Sequence, residues 1–156
     1  MTSHSAIARA IFPLAVLLVL SWAGPANAQL AIGNWARTDP GGKGMTLTVE
    51  ACCQGGLRLI YHLPAMGDQP PTDMTVDSPM NGTEVPVVMN GKPTGQTMAI
   101  KRVDAYHITG VVKYNGELTV TSSSTIAPDG KSARTESISH LSGEKTFTVI
   151  ETWVRK

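Results

Sequence analysis

From Met45 onward, apolar and polar residues alternate in short runs, the two-residue rhythm of strands that bury one face. In MTLTVE, Met45, Leu47 and Val49 point one way while Thr46, Thr48 and Glu50 point the other. The same alternation sends Leu57, Leu59 and Tyr61 inward against Arg58 and His62, and Met74 and Val76 inward against Asp73, Thr75 and Asp77. Val85 and Val87 flank Pro86, which lacks a backbone donor and predicts an edge strand or a bulge. Further runs cover residues 97–103, 107–114, 117–126, 132–141 and 145–155, and no stretch keeps a helical period.

Turn residues separate these runs. Asn115-Gly116 suits a two-residue hairpin whose positive φ angles match the twist of its strands. Asn90-Gly91, Gln54-Gly55-Gly56, Pro128-Asp129-Gly130 and Ser142-Gly143 punctuate the chain in the same manner, and Pro64 to Pro71 is the one long Pro/Gly-rich loop after the first strand. The prediction is an all-β fold: eight to ten strands in an antiparallel up-and-down meander. Such a sheet leaves no raw edge if it closes into a small barrel.

The amino terminus has a different pattern. MTSHSAIAR carries Arg9 and no acid, an apolar run extends from Ala10 to Trp22, and Ala26-Asn27-Ala28 supplies small residues at a cleavage site. Gly24 and Pro25 interrupt the run too early for a membrane span. Residues 1–28 therefore read as a removed bacterial Sec-type signal peptide, cleaved after Ala28. Gln29 stands where a lipoprotein would have Cys, so no membrane anchor is expected and the product belongs in the periplasm or outside the cell.

Taking 28 residues from 156 leaves 128, residues 29–156, enough for one domain. Of 13 Lys and Arg, Arg9 leaves with the leader, and the remaining basic residues equal the 12 acidic ones in number. That balance lacks the basic footprint of a nucleic-acid or anionic-membrane binder.

Gly33-Asn34-Trp35 resembles the Gly-x-Trp on the first strand of lipocalins, and Arg155 matches the basic residue that packs across that tryptophan. GTEVPV, MAIKRVDAYHITG and APDGKSA are also similar to a group of small secreted bacterial lipocalin-like proteins of unassigned function, so the resemblance covers most of residues 29–156. The lipocalin Thr-Asp-Tyr signature is absent, and Ala36-Arg37 replaces the apolar continuation of longer lipocalin strands. The resemblance implies a lipocalin-like, calycin-type barrel in which Gly33 lets the chain bend at the barrel end, Trp35 covers that end, and Arg155 lies over the indole, a cation–π contact worth roughly 0.5 to 2 kcal/mol. Trp153 shares parity with Arg155 and is the alternative stacking partner for it, in place of Trp35. The plainer reading makes Trp35 an ordinary core residue and Arg155 a solvated tail charge.

The run Leu118, Val120, Ser122, Ser124, Ile126 keeps one face yet turns polar in its middle. Either Ser122 and Ser124 orient a ligand in a cavity walled by Tyr61, Met74, Met98 and Val112, or a bulge reverses the faces and the serines bond water and each other. Few aromatics and several methionines suit adaptable apolar binding. Cys52-Cys53, the only cysteines, sit at a hairpin tip in a chain bound for an oxidising compartment. A vicinal disulfide, two thiols and intermolecular pairing all remain open. A soft-metal reading would combine them with His62 and Met45, Met66, Met74, Met80, Met89 and Met98 for Cu(I), although these methionines mostly alternate like core residues and no metal motif is present.

His62, His107 and His140 lie in no nucleophile, zinc or acid/base motif, and Asp73 and Asp77 read as a solvated strand face. Asn81-Gly82-Thr83 fits a glycosylation sequon but reads as a turn in a bacterial chain. No catalysis and no cofactor is expected. The expected function is binding of a small, mainly apolar molecule in the barrel. A packed barrel whose exposed Ile60 and Ile150 meet a protein partner is the rival, no motif specifies that partner, and a copper or redox protein built on Cys52-Cys53 is the third reading.

Overall fold

The computed structural model describes Leu30 and residues 32–140 and 145–156. The signal-peptide expectation and the Ser142-Gly143 turn lie outside the described residues. The alternating runs form ten antiparallel strands: β1 (Gly33–Arg37), β2 (Thr46–Cys52), β3 (Gly56–Leu63), β4 (Thr72–Ser78), β5 (Asn81–Met89), β6 (Lys92–Arg102), β7 (His107–Tyr114), β8 (Glu117–Ile126), β9 (Ser132–Ser139) and β10 (Thr148–Arg155). Each pairs with its neighbours in sequence, and β1 pairs with β10 to close the barrel. A short 3-10 turn, Pro40–Gly42, lies between β1 and β2.

The alternation sets the register. Leu47 lies opposite Tyr61 and Val49 opposite Leu59, while Leu59 and Tyr61 face Val76 and Met74 across the next pair. On the outer face, Glu50 pairs with Arg58 and Arg58 with Asp77. Both asparagine turns have the geometry their sequence asks for: Asn90 and Asn115 have φ of 47° and 49°, each followed by a glycine with positive φ. Pro86 sits at a shift in the β5–β6 register, between Pro86 and Val88, so the missing donor is accommodated by a bulge and the sheet has no edge there.

The core is not evenly spread along the barrel axis. Trp35, Val49, Leu57, Met80, Ile100, Ile108 and Ile126 are buried toward the end that carries the 53–55, 79–80, 103–106 and 127–131 connections. Toward the opposite end, inward positions such as Met74, Met98, Val112 and Val120 are only half-buried. The barrel is thus packed at one end and hollow toward the other. No helix among the described residues is long and apolar enough to cross a membrane.

Candidate functional site

The hollow is a cavity of about 290 Å³, at the lower edge of the range of roughly 300–1,000 Å³ typical of small-molecule pockets. Tyr61, Met74, Met98, Val112, Ser122 and Ser124 all border it. Its two sides differ in chemistry. Strands β2, β3, β4 and β6, with Met45 just before β2, contribute an apolar wall that includes Leu47, Leu59, Met74 and Met98. Strands β8, β9, β10 and β1 contribute a mixed one, in which Ser122, Ser124, Thr135, Ser137, Glu151 and Arg37 stand among Trp35, Val120, Ile126, Ala133 and Trp153.

Register explains why the hydroxyls converge. Ser122 lies opposite Ser137 and Ser124 opposite Thr135, and Thr135 in turn lies opposite Glu151. Side chains at directly paired positions project together on one face. The bulge in β7–β8 falls at Val112/Lys113, on the far side of Val120, so the serines keep the inward face. Ser124 Oγ and Thr135 Oγ1 are hydrogen-bonded at 2.7 Å. The hydroxyls of Ser122 and Ser137 have no side-chain hydrogen bond among the described residues. Gly110 opposes Ser122 across β7–β8, and a Cβ there would run into Ser122 Oγ, so the glycine provides the serine's space.

Beside this wall, Arg37 is almost enclosed, with 7% of its side chain exposed. Its Nε and Nη2 donate to the two carboxylate oxygens of Asp39 at 2.7 and 3.0 Å, and Nη1 lies 3.0 Å from Glu151 Oε1. The Asp39 hydrogen bond is the main cause holding the guanidinium's pKa above its ordinary value and the carboxyl's below the usual range. Asp39 also accepts from the Thr152 backbone N–H, and Glu151 Oε2 accepts from Trp153 Nε1 at 3.3 Å. Trp153 packs edge-on against Tyr61, ring centroids 6.1 Å apart. Burial first, and then the charge of Glu151, pushes the Tyr61 phenol up to about 12, so it stays neutral.

At the packed end, Trp35 is fully buried and lies directly opposite Arg155 in the β1–β10 ladder. Gly33 has φ of 134°, and its missing Cβ would lie 3.5 Å from Arg155 Nε. The Arg155 guanidinium runs along Gly33 and donates through Nη2 to the Ile32 carbonyl at 2.9 Å. It is the φ of Gly33, and not the room beside Arg155, that calls for glycine here, since a Cβ would only touch the guanidinium at ordinary contact distance.

Cys52 and Cys53 form a vicinal disulfide at the β2–β3 hairpin, whose residues Cys53 and Gln54 have positive φ. Their sulfurs lie near an Asp77 carboxylate oxygen, but sulfurs bonded to each other are not thiolate ligands. His62 is on the outer face, where Nδ1 pairs with Asp73 at 2.7 Å and Nε2 with Thr48 at 3.0 Å. Asp77 accepts two bonds from Arg58. His107 pairs with Asp104 and His140 meets Thr121; Asn81-Gly82-Thr83 begins β5 at a register shift, where Asn81 Oδ1 accepts the Thr83 backbone N–H, instead of forming the expected turn between elements. Of the residues named for copper, Met45, Met74, Met80 and Met98 border the cavity, whereas Cys52-Cys53 are at the hairpin and His62 is on the outer face, so the set does not come together at one place.

Sequence reasoning did not single out Arg37, Thr135, Ser137 or Glu151 as site residues. The signal available was parity: Ser137, Thr135 and Ala133 share one face of SARTESIS, and Glu151 shares that of Trp153. No protein-family model matches the chain, and no characterised protein or solved structure is significantly similar to it. Function has to be read from the cavity.

Proposed function

We propose that this protein is a secreted or periplasmic, non-catalytic, lipocalin-like binder of a small, mainly apolar molecule. The two-walled cavity in a barrel sealed at one end carries that reading. Its apolar side offers desolvation at roughly 25 cal/mol per Å² of buried ligand surface, and unpaired Ser122 and Ser137 hydroxyls offer orientation. The volume favours a compact ligand over a two-chain lipid. Polar residues and ion pairs such as Arg58–Asp77 and Lys113–Glu84 occupy the outside while apolar residues line the inside, the reverse of a lipid-facing barrel and suited to water.

The test is titration of the protein with the neutral fluorescent probe N-phenyl-1-naphthylamine, together with native mass spectrometry of protein taken from its own host. Saturable fluorescence gain, or a retained small-molecule mass, is the expected result. No gain and no added mass would remove the carrier reading. The interaction-module reading draws on Ile150, 38% exposed, and its neighbour in parity Val154, also exposed on the outer face of β10; Ile60 is only half-buried. Ile150→Glu, which should leave probe binding unchanged, separates the two.

A further inference from the structure

Arg102 follows Met98 and Ile100 on the inward face of β6 and lies directly opposite Ile108. Among the described residues it has no ion pair and no side-chain hydrogen bond, and its Nη2 is buried. The acid nearest to it in sequence, Asp104, is engaged in the connection that follows: it accepts from the backbone N–H groups of Tyr106 and His107 and pairs with the His107 ring. Arg37, the cation that borders the cavity, is held along both edges by Asp39 and Glu151. Arg102 is therefore the guanidinium left open to an anion, and a buried donor without an acceptor calls for one.

Its neighbours place it at the deep end of the hollow. Ile100 and Ile108 both border the cavity, and so does Met80, whose carbonyl accepts the Arg102 backbone N–H. Arg102 stands one step beyond this floor, toward the packed end. From it a register row of inward positions crosses the barrel: Arg102 opposite Ile108, Ile108 opposite Ser124, Ser124 opposite Thr135, Thr135 opposite Glu151. Arg102 on β6 and Glu151 on β10 thus end the row four strands apart in a ten-strand barrel, so an anion at Arg102 is kept away from the Glu151 carboxylate.

Resting on the ligand-binding reading above, we infer that the cavity takes an apolar chain ending in a carboxylate, which enters head-first and pairs with Arg102 beneath the floor while the chain lies along Met74 and Met98. Folding has already taken Nη2 out of water, so the pairing costs only the dehydration of the incoming acid. The two carboxylate oxygens match the guanidinium fork. Met80, unbranched and adaptable, is the part of the floor that moves aside. An alcohol of the same chain finds only the Ser122 and Ser137 hydroxyls. The acid is preferred at least about tenfold, the factor that one charge-assisted hydrogen bond supplies.

Displacement of N-phenyl-1-naphthylamine at neutral pH by decanoate, decan-1-ol and decylamine tests this, on native protein and on Arg102→Met. On native protein decanoate should displace the probe more strongly than decanol by that factor, with decylamine weakest. Arg102→Met should keep the probe's affinity and lose the acid's advantage, bringing decanoate to the level of decanol or below. Decanol or decylamine equal to decanoate on native protein overturns the inference, and so does an acid preference that survives Arg102→Met. A probe that binds but that decanoate does not displace overturns it while leaving the cavity reading in place. A probe that fails to bind takes both. If Arg102→Met does not fold, Arg102→Gln replaces it, and an alcohol as strong as the acid on native protein still overturns the inference.

Discussion

Replacing Arg37 with Met keeps most of the buried stem that packs against Gly42 but removes the charge held between Asp39 and Glu151. Breaking one side of a buried ion pair costs about 3–5 kcal/mol because the remaining charge is left uncompensated. Here the penalty is smaller. Asp39 and Glu151 retain 13% and 24% side-chain exposure, and each keeps a donor, the Thr152 backbone N–H and the Trp153 indole N–H. About 2–3 kcal/mol at neutral pH is the expected loss. The pH dependence follows from Asp39, whose carboxyl is held below its ordinary value chiefly by Arg37. A carboxyl with a depressed folded pKa stabilises the fold above its unfolded pKa, roughly 3.9, and that stabilisation disappears as pH falls through the folded value. The variant lacks this contribution, and its two unpaired carboxylates gain from protonation. The deficit of Arg37→Met should therefore be largest at pH 7 and shrink as pH drops below about 4. Urea unfolding at pH 7, 5 and about 2.5 measures it from the midpoint difference at a shared slope. A deficit under about 1 kcal/mol at pH 7, or one of equal size at about pH 2.5, refutes the reasoning.

Trp35→Ala should cost about 3–5 kcal/mol in urea unfolding, the usual range for a fully buried tryptophan, and a loss below about 1.5 would mean the ring does not seal the barrel end. The double variant Ser122→Ala, Ser137→Ala should be within about 0.5 kcal/mol of native in stability, since neither hydroxyl has a side-chain partner to abandon. It should weaken decanol severalfold while sparing the wholly apolar part of probe binding; unchanged decanol affinity counts against the hydroxyls as orienting groups. Replacing Cys52 and Cys53 by Ser removes a bond that closes the shortest of loops, so the expected cost is about 1 kcal/mol or less. Probe affinity should not change, because the pair is remote from the cavity lining, and a lost cavity signal would tie the hairpin to the site.

Most of the barrel could be read from the chain because strand identity, face and turn type are local properties. Met45 to Glu50 and Leu57 to Leu63 alternate without ambiguity, and Asn90 and Asn115 announce their hairpins. The six cavity-facing residues chosen from the alternation do border the hollow, since parity is enough to place a side chain inside a closed sheet. What stayed illegible was chemistry assembled from afar. Arg37 looked like a break in an apolar strand because one of its partners, Glu151, lies at the opposite end of the sequence. SARTESIS is polar on both faces, so its parity groups Ala133, Thr135 and Ser137 on one face without showing that this face points inward. Pro86 fitted an edge or a bulge equally well from sequence, and closure of the sheet decides for the bulge.

Closure has a temporal consequence. Every strand pair except β1–β10 joins neighbours along the chain, so nine hairpin contacts can form locally before the seam that unites residues 35–37 with 153–155. Until that last zipper shuts, or after any protease nick that sheds the carboxy-terminal strand, two unpaired borders lie open to a second molecule. Strand exchange between copies is then the natural failure of this polypeptide.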